Sequence, residues 1–447
     1  MAEDSASAAA SRDVAVIGAG WAGCAAAVEL AAQGRSVTLF EAARVPGGRA
    51  RKIILNGSSV DNGQHILLGA YRETLRVMRL VGIDIATALL RLPLQMRYPN
   101  NTGIDFVAAK LPAPLHLLAG MLRATGLALA DKLALVIFTR SARNAAWVLE
   151  RDCSVTELLR RFRQTDRLIQ FMWRPLCLAA LNTPPDEASA QVFLNVLKDS
   201  MGARYASSEM LLPRADLSAL FPQQAIDYVM SHGGHAHLGT RVRSLQRHES
   251  RWSLQTTANP IAVQEFDQVI IATDLHSATA LLEPLTANAI MPHVSYQPIT
   301  TCYLQYSTEC RLDAAFYALA DDPSMGYWGQ FVFDRGWLNA SQRGLFAVVI
   351  SAASLAAHQN HESLCAAICN QLAGVFARAD LANPLWSKVV SEKRATFGCT
   401  PRLDRPVNQT GIDQIMLAGD YTASRYPSTI EAAVSSGVTA ARLLINR

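Results

Sequence analysis

Apolar positions along this chain fall into two rhythms, one of buried strands and one of helices. Asp13 to Ile17 is a short unbroken apolar run, the length of a strand covered on both faces. Ala25 to Gln33 carries small and apolar residues at helical spacing and stops at Gly34, and Ser36 to Phe40 is a second apolar run closed by Glu41. The order predicts strand, helix, strand. Lys52 to Val60 alternates loosely and predicts a strand, and Tyr71 to Val81 has the spacing of an amphipathic helix. Ile104 to Phe138 is nearly all apolar, but His116, Arg123, Asp131 and Lys132 break it, and Pro112 and Pro114 stop any helix there. Its runs are too short to cross a bilayer. Two readings stand for it: a helical cap that lines an apolar tunnel and dips into one leaflet, or ordinary buried helices.

The pattern continues with a helix from Ser154 to Arg163, Ser154 as its N-cap and Glu157 at the capping-box position. Phe171 to Pro185 is aromatic, apolar and small, fit either for core packing or for a tunnel wall. Asp186 to Ser200 predicts a helix, and Leu211 to Arg214 with Leu217 to Pro222 an apolar, proline-punctuated segment. Gln223 to Met230 reads as a helix ended by Gly233-Gly234. His235 to Leu245 reads as a strand, Arg251 to Thr257 with Ala262 to Glu265 as a hairpin, and Phe266 to Thr273 as a buried strand. Ile299 to Tyr306, Gly326 to Asp334 and Leu345 to Ser351 predict an antiparallel sheet in a second domain, covered by a helix over Glu362 to Ala377. Val389 to Phe397 is strand-like, Ile415 to Ala418 is a strand, and Ser428 to Leu444 is a helix.

Chemistry enters at the first strand–helix turn. Gly18, Gly20 and Gly23 have G-x-G-x-x-G spacing between a strand and a helix, with a second strand and an acid behind them. Gly18 permits the tight turn, Gly20 lets backbone approach a pyrophosphate, and Gly23 lets helix and strand pack closely. The free N–H groups of the helix start, around Ala19, Trp21 and Ala22, then face the phosphates. Glu41, 23 residues after Gly18, is placed to accept hydrogen bonds from ribose hydroxyls, with Ala42 beside it, and its charge argues against a 2′-phosphate. Six residues later Gly47-Gly48-Arg49 offers a second set of backbone donors and a cation. The alternative for that pair is a plain surface turn.

Two further clusters suit a redox cofactor. Asp61-Asn62-Gly63-Gln64-His65 is a polar group between a strand and an apolar stretch, placed to bond the edge of a ring or a substrate, or else a turn capped by Asp61. Near the end, Gly419-Asp420-Tyr421-Thr422 follows a strand, and Ser428, Thr429 and Ala432 open a helix. Asp420 suits a ribityl hydroxyl or a phosphate-bound water. The helix N-terminus suits a flavin edge that gathers negative charge on reduction.

Composition narrows the field. The chain has 447 residues, 50% hydrophobic and only 17% charged, enough for a large core with apolar surface left over. The formal net charge of +4 comes without any Lys/Arg cluster interleaved with aromatics, so nucleic acid is not expected as a partner. The eight cysteines lack paired spacing and read as buried thiols in a reducing compartment, not as metal ligands. No metal is expected. Met1 to Ser11 is Ala/Ser-rich with two acids and reads as a tail, not a signal peptide. The expected location is cytoplasmic, with peripheral contact on the inner face of the cell membrane as a further expectation.

The two glycine-rich loops and the C-terminal strand–helix turn resemble those of the flavin amine oxidase and phytoene desaturase superfamily, which implies FAD. Within it, DNGQHILLGAY (61–71), PLCLAALNTPP (175–185), NVLKDS (195–200), LLPRADLSALFP (211–222) and RYPSTIEAAVSSG (425–437) resemble the hydroxysqualene dehydroxylases, squalene-associated FAD-dependent desaturases of bacterial hopanoid pathways. The likeness implies an α/β fold in which a Rossmann-type FAD-binding domain (12–100, 223–290, 389–447) is interleaved with an α+β substrate domain made of a helical cap (101–222) and an antiparallel sheet (291–388). It implies that Val242 offers backbone to adenine and that Ala272 closes a tight turn. It also implies removal of a hydroxyl from hydroxysqualene, a C30 isoprenoid, by hydride from reduced FAD, with electrons from an external reductant, NAD(P)H. Asp61, His65 and Tyr426 are the candidates for the acid or orienting groups. A carotenoid-type desaturase running the flavin oxidatively, an amine oxidase, whose aromatic pair flanking the flavin is only half suggested by Tyr421 and Tyr426, and a non-catalytic flavin or lipid carrier are the rivals.

Overall fold

Five parallel strands carry the first glycine motif at their centre. The computed structural model describes residues 12–201, 204–257, 264–286, 292 and 294–446. The strand order is His235–Leu238, Ser36–Glu41, Asp13–Ile17, Gln268–Ile271, Ile415–Leu417, all parallel, with Ile17 opposite both Phe40 and Ile271. Val14 to Ile17 are buried because both faces are covered, Val14 and Val16 by helices and Ala15 and Ile17 by the antiparallel strands Val242–His248, Arg251–Thr256 and Gln264–Phe266, which is why the run shows no polar alternation. The helix Trp21–Ala31 is buried along its whole length. It crosses the C-terminal helix Ile430–Ile445 at Gly437, where a Cβ would stand 2.0 Å from the Ala22 carbonyl oxygen. Small residues on both helices permit that approach.

A second, antiparallel sheet has the order Phe316–Ala318, Phe331–Asp334, Leu345–Ile350, Tyr296–Gln305, Trp386–Phe397, with the helix His361–Phe376 against it. The parallel sheet thus draws strands from three stretches of chain, and the antiparallel sheet lies between the second and third. The boundary expected at 388/389 falls inside the strand Trp386–Phe397, which by pairing belongs to the antiparallel sheet. Over 104–138, a short strand Asp105–Val107 pairs with Gln95–Arg97, and then come the helices Leu115–Arg123 and Leu129–Asn144.

Several sequence expectations change in detail. Lys52 to Val60 is not one strand but a hairpin, Lys52–Leu55 with Ser58–Asp61, turned by Asn56-Gly57 at φ 46 and 80, the two positive values of a type I′ turn. His235 to Leu245 splits at Gly239 (φ 71) into one strand of the parallel sheet and another, Val242–His248, of a separate antiparallel sheet. The first helix starts at Trp21, four residues earlier than its apolar spacing suggests. The helix expected from Asp186 starts at Ala190, because 184–188 are a turn closed by the Ala188 N–H on the Pro184 carbonyl at 2.8 Å. The strand expected from Phe266 is Gln268–Ile271, and within Gly326 to Asp334 only Phe331–Asp334 is strand. Met210–Pro213 is a strand between Leu67–Leu68 and Leu89–Leu92. Ser154 does cap its helix, accepting the Glu157 N–H at 3.2 Å, a contact worth about 1 kcal/mol. Ala262 and Val263 of the expected hairpin, and the N-terminal tail, lie outside the described residues.

Candidate active site

The Gly-rich turn and the second glycine pair form one cradle. The Gly47 N–H donates to the Ala19 carbonyl at 2.8 Å, and Gly20 and Gly47 pair as a parallel bridge. Gly18 sits at φ 108 with the site of a Cβ 2.6 Å from the Ala272 oxygen, and a Cβ on Gly23 would stand 1.8 Å from the Gly18 oxygen. Gly20 is different: the nearest atom to its Cβ position is the Gly48 Cα at 3.9 Å. Gly18 and Gly23 are therefore glycines because protein backbone is close, and Gly20 borders open space on the cavity. Glu41 accepts the Ala19 N–H at 2.7 Å and the Ala43 N–H at 2.8 Å, fixing its carboxylate on the cavity wall with lone pairs to spare.

Farther along, Arg49 donates to Asp420 and to the Ala395 carbonyl (2.8 Å), while the Ser428 hydroxyl donates to the other Asp420 oxygen. Asn62 ties this corner to the antiparallel sheet, donating to the Arg49 carbonyl and to Glu392, both at 3.2 Å. Thr429 caps the Ile430–Ile445 helix by accepting the Ala432 N–H at 3.2 Å.

These residues line a single cavity of about 1280 Å³. That exceeds the roughly 300–1,000 Å³ of a small-molecule pocket and leaves room for a cofactor and a second long molecule. Gly18, Gly20, Trp21, Ala22, Glu41, Ala42, Gly47, Gly48, Arg49, Gly63, Gln64, His65, Val242, Ala272, Gly419, Asp420, Ser428 and Thr429 all face it. Beyond them the wall turns apolar, with Leu117 and Met121 from the cap, Met172, Trp173 and Leu176 from the 169–181 segment, and Phe331 and Phe333 from the antiparallel sheet.

Four expected site residues stand elsewhere. Ala19 spends its N–H on Glu41 and its carbonyl on Gly47. Gly23 packs against Gly18 and Ala272. Ala432 is buried and its N–H belongs to the Thr429 cap, while Ile430 and Ala433 reach the wall in its place. Asp61 is 2% exposed and does not face the cavity. Its carboxylate accepts the Leu217 N–H at 2.7 Å and lies 3.9 Å from Arg335. Burial pushes its pKa up to about 6, against the pull of Arg335 and the Leu217 N–H. Asp61 is thus a strut behind the wall, where the sequence suggested an acid at the reacting centre.

His65 does face the cavity. Its Nδ1 is 2.8 Å from the Gly63 carbonyl, and burial lowers its pKa, the Gly63 bond opposing and Arg49 adding to the drop. The ring is therefore neutral, with its proton on Nδ1 and Nε2 an acceptor. Tyr426 also faces the cavity. Its hydroxyl donates to Asp199 and accepts from Arg425 at 2.9 Å. Burial, then the bond to Asp199, pushes its pKa up to about 12, so it keeps its proton at neutral pH.

Asp199 and Arg335 escaped the sequence reading as site residues. Asp199 sits in the NVLKDS segment, yet only the fold brings it against Tyr426. Arg335 donates to Gln64 and faces Asp61 from a short turn 270 residues on, and no local pattern marks it. Among the described residues no group of three or more His, Cys, Asp or Glu is placed to hold a metal ion.

The residues fit a dinucleotide. The open side of Gly20 leaves space for phosphate, and the Tyr421 hydroxyl is buried on the cavity wall without a hydrogen-bond partner, a donor for a ligand oxygen. A parallel sheet with this double cradle, opening into a second sheet and a helical cap, defines a flavin-dependent oxidoreductase. The chain belongs to the family of flavin containing amine oxidoreductases, whose model matches residues 21–445, and its cofactor is FAD. It is similar to the hydroxysqualene dehydroxylase of Sinorhizobium fredii, 27% identical over 97% of this chain and 99% of the relative. The 15-cis-phytoene desaturase of Glycine max is 23% identical over 97% of this chain and 79% of its own length. The solved cyclohexylamine oxidase of Brevibacterium oxydans shares the fold at a TM-score of 0.67 and 15% identity, over 98% of this chain and all of that one.

Proposed function

We propose that this enzyme reductively removes the hydroxyl of hydroxysqualene, giving squalene, as its hydroxysqualene dehydroxylase relatives are named for doing. The reading rests on one observation: the dinucleotide cradle and an apolar gallery are parts of one cavity. An allylic hydroxyl leaves as water once its oxygen is protonated, and the remaining cation is quenched by hydride at carbon. The cradle's residues would hold FAD, which in its reduced form would supply that hydride, with NAD(P)H as the external reductant. The chain's own work is to bind, to dry and to move a proton.

Met172, Trp173, Leu176, Phe331 and Phe333 hold the isoprenoid and keep water from capturing the cation. The proton at the leaving oxygen is assigned to the Tyr426 hydroxyl, which must turn its one O–H away from Asp199 to the substrate, with Arg425 donating to the phenolate oxygen that remains. His65 Nε2, an acceptor on the same wall, orients the substrate hydroxyl. Arg49 and the N-terminus of the Ile430–Ile445 helix would face negative charge on the bound cofactor, and Asp420, held by Arg49, would accept from a ribityl hydroxyl.

The test incubates pure protein with hydroxysqualene, FAD and NADPH and reads the product mass. Loss of the oxygen supports the reading. Unchanged hydroxysqualene, with desaturated product in a parallel assay of phytoene and an electron acceptor, establishes the carotenoid-type desaturase instead. Tyr426→Phe is expected to slow single turnover about a hundredfold with pre-reduced enzyme, and an unchanged rate removes Tyr426 from the mechanism.

A further inference from the structure

The two cap helices turn their apolar stripes outward. On Leu115–Arg123, Leu115, Leu118 and Leu122 are exposed one turn apart, while His116 and Gly120 are buried. On Leu129–Asn144, Leu129, Leu133, Val136 and Ile137 are exposed, while Asp131, Ala134, Leu135, Phe138 and Ala142 are buried. Leu122 is 64% and Leu129 73% exposed. Together with Val107 and Leu111 these make nine of the twenty exposed large apolar side chains among the described residues, gathered within 107–137. Soluble surfaces scatter such residues, and a contiguous patch marks a contact.

Charge says with what. Lys110, Arg123, Arg140 and Arg143 are exposed around the patch, and Lys132 reaches the Leu122 carbonyl at 3.0 Å. The acid of the region, Asp131, is buried, accepting the Ala128 N–H at 2.8 Å and the Thr165 hydroxyl at 2.6 Å. An apolar stripe rimmed by cations, with no exposed acid in 107–143 and Asp105 beside it paired with Arg97, fits the headgroup boundary of an anionic bilayer. A second copy of the chain would set these cations against themselves. Leu118 and Val136, one from each helix, are exposed and also line the cavity, and Arg140 and Arg143 line it beside them. The cap is therefore a wall of the cavity as well as the outward face.

We propose that these two helices seat the enzyme on a membrane bearing anionic phospholipid, and that the cavity opens to that membrane between Leu118 and Val136. The opening matters for an isoprenoid substrate, as proposed above, whereas the seating does not depend on that reading. Among the described residues no helix is long and apolar enough to cross a membrane, and the proposed contact is with one leaflet.

The experiment floats the FAD-loaded, full-length protein with vesicles of phosphatidylcholine alone or mixed with phosphatidylglycerol, without substrate. The wild type is expected to float with the mixed vesicles and to release at high salt. Leu122→Glu/Leu129→Glu/Leu133→Glu, at positions outside the cavity wall, is expected to lower the partition about a hundredfold while keeping its flavin. Leu355→Glu/Leu385→Glu, equally exposed elsewhere, is expected to float like the wild type. Wild type that stays in solution, a triple variant that floats unchanged, or a wild-type dimer that the triple variant makes monomeric overturns the proposal. Equal binding to neutral vesicles overturns the part assigned to charge. A final arm supplies the isoprenoid in vesicles or in detergent. A triple variant slow only with vesicles supports the opening, and one equally fast with both overturns it.

Discussion

At the cradle end the cavity wall is backbone and short polar side chains, drawn mainly from Gly18 to Arg49 and Gly419 to Thr429. At the gallery end it is apolar side chains from the cap helices, the 169–181 segment and the antiparallel sheet. The cradle tolerates no added atom where backbones meet, and its groups are locked by hydrogen bonds such as Ala19 N–H to Glu41 and Gly47 N–H to the Ala19 carbonyl. The gallery is shaped chiefly by apolar packing, with a tether such as Trp173 Nε1 donating to Gln164 at 2.9 Å holding a ring in place from behind. One end recognises a charged, hydrogen-bonding ligand of fixed shape, and the other accepts a flexible greasy one.

Substitutions at the two ends are expected to fail in different ways. Gly23→Ala puts a Cβ 1.8 Å from the Gly18 oxygen and forces helix and strand apart. It is expected to cost more than about 4 kcal/mol and to yield protein without flavin, read by urea unfolding and by visible absorbance. Ala180→Trp fills the gallery wall. It is expected to lower kcat/KM for the isoprenoid about a hundredfold while flavin content and reduction by dithionite stay unchanged.

Between the two ends, Asp61 tests the strut behind the wall. Its folded pKa of about 6 lies above the ordinary 3.8, so between these values the folded state holds the proton more tightly than the unfolded chain. Stability from this group therefore falls as pH rises through that window, and the penalty is complete above it. Asp61→Asn removes the titration, and its stability relative to the wild type is expected to rise by about 2 kcal/mol across the window, read by urea unfolding at each end. The smallest effect is expected at Gly20→Ala. Its φ of −71 suits alanine and the Cβ meets nothing nearer than 3.9 Å, so the apoprotein keeps its stability. The new methyl stands where phosphate would approach, and flavin affinity is expected to drop about tenfold, read by titration.

The cradle was legible because its parts are near neighbours in the chain and each obeys a local rule. Gly18, Gly20, Gly23 and Glu41 lie within one βαβ unit, so spacing alone carries them to the same place. The hairpin turn at Asn56-Gly57 is equally local, but loose alternation across the nine residues from Lys52 to Val60 imitates one strand. Asp61 misled for another reason. Its neighbours in DNGQH do face the cavity, but strand alternation and Arg335 turn its own side chain to the back.

Taken alone, the amino-acid order determined the nucleotide fold, its cofactor and the apolar character of 104–138, because glycine spacing and hydrophobic period act over a few residues. Which of Asp61, His65 and Tyr426 reach the cavity, the pairing of Tyr426 with Asp199, and the outward turn of the cap's leucines were decided only by the tertiary structure. Those depend on what packs behind each side chain, and the packing partners lie up to hundreds of residues away.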